Sequence, residues 1–485
     1  MPHKDAEVGG GALSAPLRPL TIGVIAIITC AAFEAMAVVT AMPSVAAELN
    51  GVASYGLAFS MYLTASLLGS VLGGSWCDQR GPRPALAAGL ALMVLGLAVS
   101  GSAPEFWIMT LGRAVSGLGG GFMIVAVYVI IAQCYPQRLQ PVVFGWLAAA
   151  WVVPSLVGPY VAGALAEQAS WRWVFLGVAP VVAAAFLLVW PSTSGLKTER
   201  AASGVDGAVR RNALTGVLLA GGVFAAQFAL TRLAVGGINN PAYSVFLVVL
   251  GAVGFGAAAV AFPRLLPPGT LRLARGLPSV IATRGLLTVA FFGAEAFVPL
   301  MLVSSRGLDA STAGLTLSAA AIGWSLGSFI QAKVRFQRQW LLVIGSVLLS
   351  VSIGGLALSA AAEVPFWMIV AVWSCAGLAM GMALSSTSVL VLKLSAPEEQ
   401  GRNSASLQLS DQLGGVIGTA GAGGLFALLR EPGATGQLSV FAVMWLVLGL
   451  FAVIGIAAGF RAARGAHASG MVSSLGTGKV PSQEP

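Results

Sequence analysis

The sequence predicts an all-α integral membrane protein with fourteen transmembrane helices. It predicts two pseudo-symmetric six-helix bundles plus two inserted helices. Three observations carry this: a scarcity of charge, a series of apolar runs of spanning length, and an internal repeat. Of 485 residues, 57% are hydrophobic and only 9% charged, against about 25% charged in a soluble globular chain. That deficit excludes a soluble enzyme, a disordered chain and a nucleic-acid binder with a basic surface. The expected surroundings are a lipid bilayer, with no nucleic acid partner.

A spanning helix needs about 20 mostly apolar residues. Fourteen runs qualify, at roughly 20–47, 55–76, 85–102, 105–134, 140–166, 171–190, 212–235, 243–263, 277–303, 311–332, 340–361, 364–392, 403–429 and 437–460. The short alternating segments of a β-barrel are absent. Residues 1–19 lead into a run too long for a cleaved signal peptide and lacking a small-residue cleavage site, so a signal anchor is expected. Basic residues collect on the cytoplasmic side of bacterial membrane proteins. With both termini inside, twenty of the 26 Lys and Arg fall on that side and four (Arg172, Arg232, Arg306, Arg430) on the other. The net charge of +9 is this topology signal. Only five of the basic residues are lysine, a bias of GC-rich bacterial genomes, and a bacterial inner membrane is the expected location.

The repeat has an offset near 260. Gly69-Ser70 in span 2 matches Gly327-Ser328 in span 10, and Gly117-Leu118 with Gly121 in span 4 matches Gly377-Leu378 with Gly381 in span 12. Gly158 and Gly163 in span 5 match Gly418 and Gly423 in span 13, and Glu34-Ala35 in span 1 matches Glu295-Ala296 in span 9. Four matches in register divide the chain into a tail (1–19), a first bundle (20–190), a linker with two extra spans (191–276), a second bundle (277–460) and a second tail (461–485). Repeats of this kind build transporters whose two bundles rock about a midplane site.

Metal and disulfide chemistry are not expected. Cys30, Cys77, Cys134 and Cys375 have no short spacing, and His3 and His467 lie in the tails. No cofactor is expected either. A membrane-embedded enzyme would need a polar cluster of His, Asp, Ser or Cys at one face, which the sequence lacks. A receptor or scaffold would need a sizeable soluble tail.

The segment after span 2 reads Gly74-Ser75-Trp76-Cys77-Asp78-Gln79-Arg80-Gly81-Pro82-Arg83. It resembles the G-x-x-x-D-x-R-G-x-R signature of the major facilitator superfamily. Span 4 carries Arg113 ahead of Gly117-Leu118-Gly119-Gly120-Gly121, like that family's second motif. Span 5 carries Gly158-Pro159 and Gly163, like the motif of its proton-driven antiporters, and Trp171-Arg172-Trp173-Val174-Phe175 opens span 6 as in its drug:proton antiporter branches. Fourteen spans resemble the multidrug exporter branch of that size. The resemblance implies the major facilitator fold and proton-coupled export of a small-molecule substrate, multidrug efflux, by alternating access, from a monomer. It leaves open an exporter of one specific metabolite or lipid.

Two departures stand out. The acid often present as Asp in span 1 of that branch is here Glu34. The second copy of the loop motif, around Lys333–Arg338, places Phe336 where Asp78 would repeat. A carboxylate at a helix end can cap the positive N-terminus of a neighbouring helix. For Asp78, the resemblance nominates span 13, near Arg402-Asn403, as the neighbour, giving a cytoplasmic gate built from Gly74, Asp78, Arg80, Gly81 and Arg83.

Three of the 17 acids lie inside spans: Glu34, Glu295 and Asp411. Charge at membrane depth is costly and by default functional. At 1.5 Å per residue, Glu34 lies ~20 Å from the inner end of its span and Arg113 ~12 Å from the outer end of its own, which puts the two at similar heights. Burial favours the protonated form of a carboxyl and a cationic neighbour the ionised form. Glu34 is the first candidate proton carrier, Glu295 its counterpart, Asp411 an auxiliary and Arg113 the partner. For each acid the alternative of a permanently paired group that fixes helix register stays open. A cavity lined by Phe33, Met36, Trp151, Phe291, Phe292, Trp373 and Met380, with Gln408 and Gln412, suits lipophilic or cationic compounds. The tryptophans near span ends (Trp76, Trp107, Trp171, Trp190, Trp340, Trp367) read as an interfacial belt.

Overall fold

The computed structural model describes residues 11–15, 17–136, 138–193, 206–235, 240–333, 338–362, 364–396, 399–430 and 438–475. Among the described residues fourteen helices are long and apolar enough to cross a bilayer: α1 (Arg18–Glu48), α2 (Val52–Arg80), α3 (Pro82–Gly101), α4 (Phe106–Cys134), α5 (Val142–Ser170), α6 (Arg172–Val189), α7 (Leu214–Leu233), α8 (Pro241–Leu265), α9 (Leu277–Arg306), α10 (Ala310–Lys333), α11 (Arg338–Ala361), α12 (Phe366–Leu394), α13 (Arg402–Leu429) and α14 (Leu438–Arg464). In hydrocarbon every backbone group must find a partner inside the protein, which is why the apolar runs become helices. The ends follow local chemistry. Pro82 and Pro241 occupy first turns, where a missing N–H costs nothing, and the Asn240 side chain accepts from the Ala242 N–H at 3.0 Å. Gly81, at φ +84°, turns α2 into α3 through a conformation that suits glycine, which explains the glycine between Arg80 and Arg83. The near face is the one where α1 begins and this turn lies; α1 ends at the far face.

Both halves are held together by the same contact. A methyl group on Gly117 would collide with the Tyr62 backbone, and one on Gly377 with the Ala320 carbonyl. Gly121 lies against Ser66 and Ser70, and Gly381 against Trp324 and Ser328. Gly69 and Gly327 return the contact to the carbonyls of Leu118 and Leu378. Each α2–α4 contact thus recurs between α10 and α12. Lipid competes for apolar surface as well as protein does, so close backbone approach at small residues supplies the adhesion.

The inserted pair α7 and α8 cross at Gly222 and Gly254, each glycine facing the other's carbonyl. The pair lies against both bundles: Leu67 of α2, Leu219 of α7, Ala261 of α8 and Leu413 of α13 share one buried cluster.

Three helices are interrupted. The α5 span turns at residues 150–151, just before Pro154, and ends in a π-turn, Ala166–Ser170. Pro159 sits inside the intact second segment of α5. The α6 span turns at Gly177. The α9 span stops at Glu295 and restarts at Val298, with Pro299 in the new first turn. One expectation needs correction. Trp171 is not part of an interfacial belt: it is 2% exposed, and its indole donates to Glu48 at 2.8 Å. Trp107 and Trp367, at 62% and 66%, fit the belt.

Gly377→Leu forces a side chain into the Ala320 carbonyl and is expected to destabilise the protein by about 1–3 kcal/mol. Gly354→Leu, on α11 with no atom near the added group, is expected to be tolerated. Thermal unfolding of the two purified variants in detergent checks the contrast.

Candidate functional site

At the centre of the first bundle, Glu34 of α1 and Arg113 of α4 form an ion pair, 0% and 3% exposed, through Oε1 and Nη1. The Arg113 guanidinium also lies over the Tyr62 ring of α2, 4.2 Å from its centroid. Three helices therefore meet on one cation. Glu34 Oε2 and Arg113 Nε have no hydrogen-bond partner among the described residues. The pair is held by charge and one ring face, so it has unused hydrogen-bonding capacity.

The second bundle handles charge differently. Glu295 is 8% exposed and has no hydrogen-bond or ion-pair partner among the described residues. It ends the first α9 segment, where the helix dipole disfavours a carboxylate. One turn earlier, Phe291 stacks on Trp373 at 4.9 Å and 9°, and Trp324 meets Phe291 edge-on at 5.4 Å. Trp373 lies 260 residues after Arg113, the spacing that relates Gly117 to Gly377. Where the first bundle places a guanidinium, the second places an indole, so Glu295 has no counterpart cation.

Asp411 is fully engaged. Arg284 grips it bidentately, at 2.9 Å to Oδ1 and 3.0 Å to Oδ2, and the Thr288 hydroxyl donates to Oδ1 at 2.7 Å. Arg284 also donates to the Leu384 carbonyl at 3.1 Å and the Thr387 hydroxyl at 3.3 Å. The cluster binds α9, α12 and α13 together, an arrangement that fixes helix positions.

The seam between the bundles is closed at the far face. Glycines 56 and 423 touch backbone to backbone, Gly163 lies on Ser311, and Gly314 on the Pro159 carbonyl. The Ser318 hydroxyl donates to the Leu156 carbonyl at 2.8 Å. Glu167, in the π-turn of α5, accepts from the backbone N–H of Ser311 at 2.7 Å and from its hydroxyl at 3.1 Å. Gly163 of the antiporter-like motif is thus a seam contact, while Gly158 faces Phe33 and Met36 of α1.

At the near face the expected latch is not engaged. Asp78 is exposed and without a hydrogen-bond or ion-pair partner among the described residues, and Gly74 faces open space. The first turn of α13 is occupied locally: Arg402 pairs with Glu399 at 2.6 Å, and Asn403 donates to Ser395 at 2.9 Å. Arg80 lies over the Trp76 ring and Arg83 over the Trp190 ring, at 5.6 and 4.0 Å. Phe336, in the second copy of the loop, lies outside the described residues.

A comparison of sequences decides the family. The model of the Major Facilitator Superfamily matches residues 24–297 and 280–470. The chain belongs to the major facilitator superfamily. It is a multi-pass membrane transporter and not an enzyme. A probable multidrug-efflux transporter of Mycobacterium tuberculosis is 25% identical over 452 residues, covering 87% of this chain and 90% of the relative. The multidrug efflux pump SdrM of Staphylococcus aureus is 24% identical over 433 residues, covering 87% and 93%. Two solved structures share the fold. A bacterial homologue of the lysosomal transporter Spinster, inward-facing and unoccupied, superposes with a TM-score of 0.62 at 18% identity, covering 92% of this chain and 96% of that one. The nucleoside transporter NupG superposes at 0.61 and 14% identity, covering 91% and 98%.

Among the cavity candidates of this major facilitator, Trp373 needs correction. It is fully buried, stacked against Phe291, because its side of α12 faces α9 and not an opening. Phe291 and Met380, 1% and 0% exposed, are enclosed in the same way. Phe33 instead lines a side cavity of about 410 Å³ with Thr29, Cys30, Val157, Gly158 and Trp173, between α1, α5 and α6. Met36, Phe292 and Gln412 are half-buried, and Trp151 and Gln408 exposed. Sequence reasoning missed Tyr62, the Arg284–Thr288 clamp and Glu167. A signal existed for the last: Asp309, Ser311 and Thr312 form a helix start just after a span, the kind of site that attracts a carboxylate.

Arg113→Met leaves Glu34 buried without its cation and is expected to cost about 3–5 kcal/mol. The double variant Glu34→Gln/Arg113→Met removes both charges and is expected to recover much of that loss. A double-mutant cycle of unfolding midpoints in detergent reads the coupling.

Proposed function

We propose that the protein is a proton-coupled antiporter that exports lipophilic or cationic drug-like compounds by alternating access. It works as a monomer in a bacterial inner membrane, with both termini and the near face cytoplasmic. The observation that carries the reading is the unequal pair of buried acids: Glu34 bound to Arg113, and Glu295 with no cation partner among the described residues.

A carboxyl in a low-dielectric interior is stable either ionised beside a cation or protonated. With the far face sealed, Glu34 is in the first condition and Glu295 suits the second. Opening toward the outside rearranges the bundles and admits water to α1 and α4. Arg113 then loses its hold, and Glu34 takes a proton at its free Oε2. Closure of the far face restores the ion pair and returns the proton to the cytoplasm. A cationic substrate entering from the near face competes with the same proton for the same carboxylates, which makes exchange obligatory. Asp411, saturated by Arg284 and Thr288, holds α9 and α13 in register during the cycle. The multidrug-efflux relatives named above support drug-like compounds as the substrate class.

The test uses proteoliposomes with the near face exposed to a fluorescent lipophilic cation and a proton gradient that drives protons toward that face. Glu34→Gln is expected to abolish gradient-driven transport, at least tenfold. Because it leaves Arg113 buried without its anion, the double variant Glu34→Gln/Arg113→Met, expected to recover stability, is measured beside it and is expected to be equally uncoupled. Glu295→Gln is expected to weaken transport of cationic substrates more than of neutral ones. Gradient-driven export by Glu34→Gln at the parent rate would overturn the assignment. Protection of an efflux-deficient host against a single compound in a growth panel would favour a specific exporter.

A further inference from the structure

We propose that Glu167 is the latch of the external gate: a carboxylate of the first bundle that caps α10 of the second, holds the far face shut, and lets go when the transporter opens outward. The inference rests on the alternating-access reading above, and it concerns a residue that no motif covers.

The first N–H groups of a helix have no partner within the helix. In α10 the residue before the first turn, Asp309, has its carboxylate engaged by the Thr312 hydroxyl at 3.0 Å. The Ser311 N–H is capped instead by Glu167 Oε1 at 2.7 Å, while the Ser311 hydroxyl binds Oε2 at 3.1 Å. Both oxygens of one carboxylate thus close on one residue across the seam. The π-turn Ala166–Ser170 presents this carboxylate at the end of α5. Gly163 and Gly314 bring the two backbones together one turn below. The internal repeat does not reproduce the latch: the residue 260 positions on, Ala427, has no carboxylate, and Gly56 and Gly423 touch backbone to backbone. The latch is also reciprocal. The near-face acid, Asp78, has no hydrogen-bond or ion-pair partner among the described residues, while the far-face acid is bound. Each acid then guards one side, and only one is engaged at a time.

An exposed carboxylate at a helix N-terminus is a weak bond, suited to being broken once per cycle. Its loss is expected to shift the gate equilibrium about two- to fivefold. The test is a far-face distance measured between spin labels at Ser102→Cys and Ala362→Cys, exposed ends of α3 and α11 in opposite bundles. The four native cysteines are replaced in this background. Glu167→Ala is expected to raise the population of the longer distance two- to fivefold over the background protein. Asp309→Asn removes the same charge beside it and is expected to leave the distribution unchanged. A distribution insensitive to Glu167→Ala, in protein that still samples both distances, overturns the latch and leaves alternating access standing. An equal shift from Asp309→Asn reduces Glu167 to one surface charge among others and also overturns the latch. A single far-face distance at every pH and substrate concentration overturns alternating access, and the latch with it.

Discussion

A carboxyl group deep in a membrane protein must be neutralised, and the molecule is organised around the two ways of doing so. Glu34 is neutralised by Arg113, with Tyr62 backing the guanidinium. Glu295 has no cation partner among the described residues, and Trp373 stands where Arg113 would repeat. The halves share a backbone plan and differ in charge. On the proposed reading the two halves offer a proton two unlike stations, one with a resident counter-ion and one without, and that inequality gives the cycle its coupling.

The packing fits such a cycle. Inside each bundle, glycines set α2 on α4 and α10 on α12 through backbone contacts that admit no slack. Between the bundles the contacts are of another kind: the pairing of Gly56 with Gly423, the ring contact of Tyr55 with Phe297 at 5.1 Å, and hydrogen bonds at Ser318 and Ser311. Bodies that are rigid internally and joined by replaceable contacts move against one another more readily than they deform. The α7–α8 pair touches both bundles along the α2–α13 seam and must slide on at least one of them as the seam opens.

Depth was legible in the sequence; rotation about the helix axis was not. Hydropathy and length placed all fourteen helices, because the bilayer imposes both. Rise per residue placed Glu34 and Arg113 at one height, and the ion pair follows. Trp171 and Trp373 have the depth expected of a belt and a cavity wall, yet both turn inward, which composition does not encode. The partner of Asp411 was hidden for the same reason, since Arg284 lies on another helix 127 residues away. The break at Glu295 left a trace in Pro299, four residues on. Glu167 lies near the end of its span, and its contact with Ser311 emerges only when the two bundles are set side by side.

The central claim is that the buried acids differ in protonation because one has a cation and the other does not. Infrared difference spectroscopy of the protein with its far face closed reads this directly, through the carbonyl stretch of a protonated carboxyl group. The account predicts a band that disappears in Glu295→Gln and persists in Glu34→Gln. A band that disappears in Glu34→Gln and persists in Glu295→Gln would contradict it.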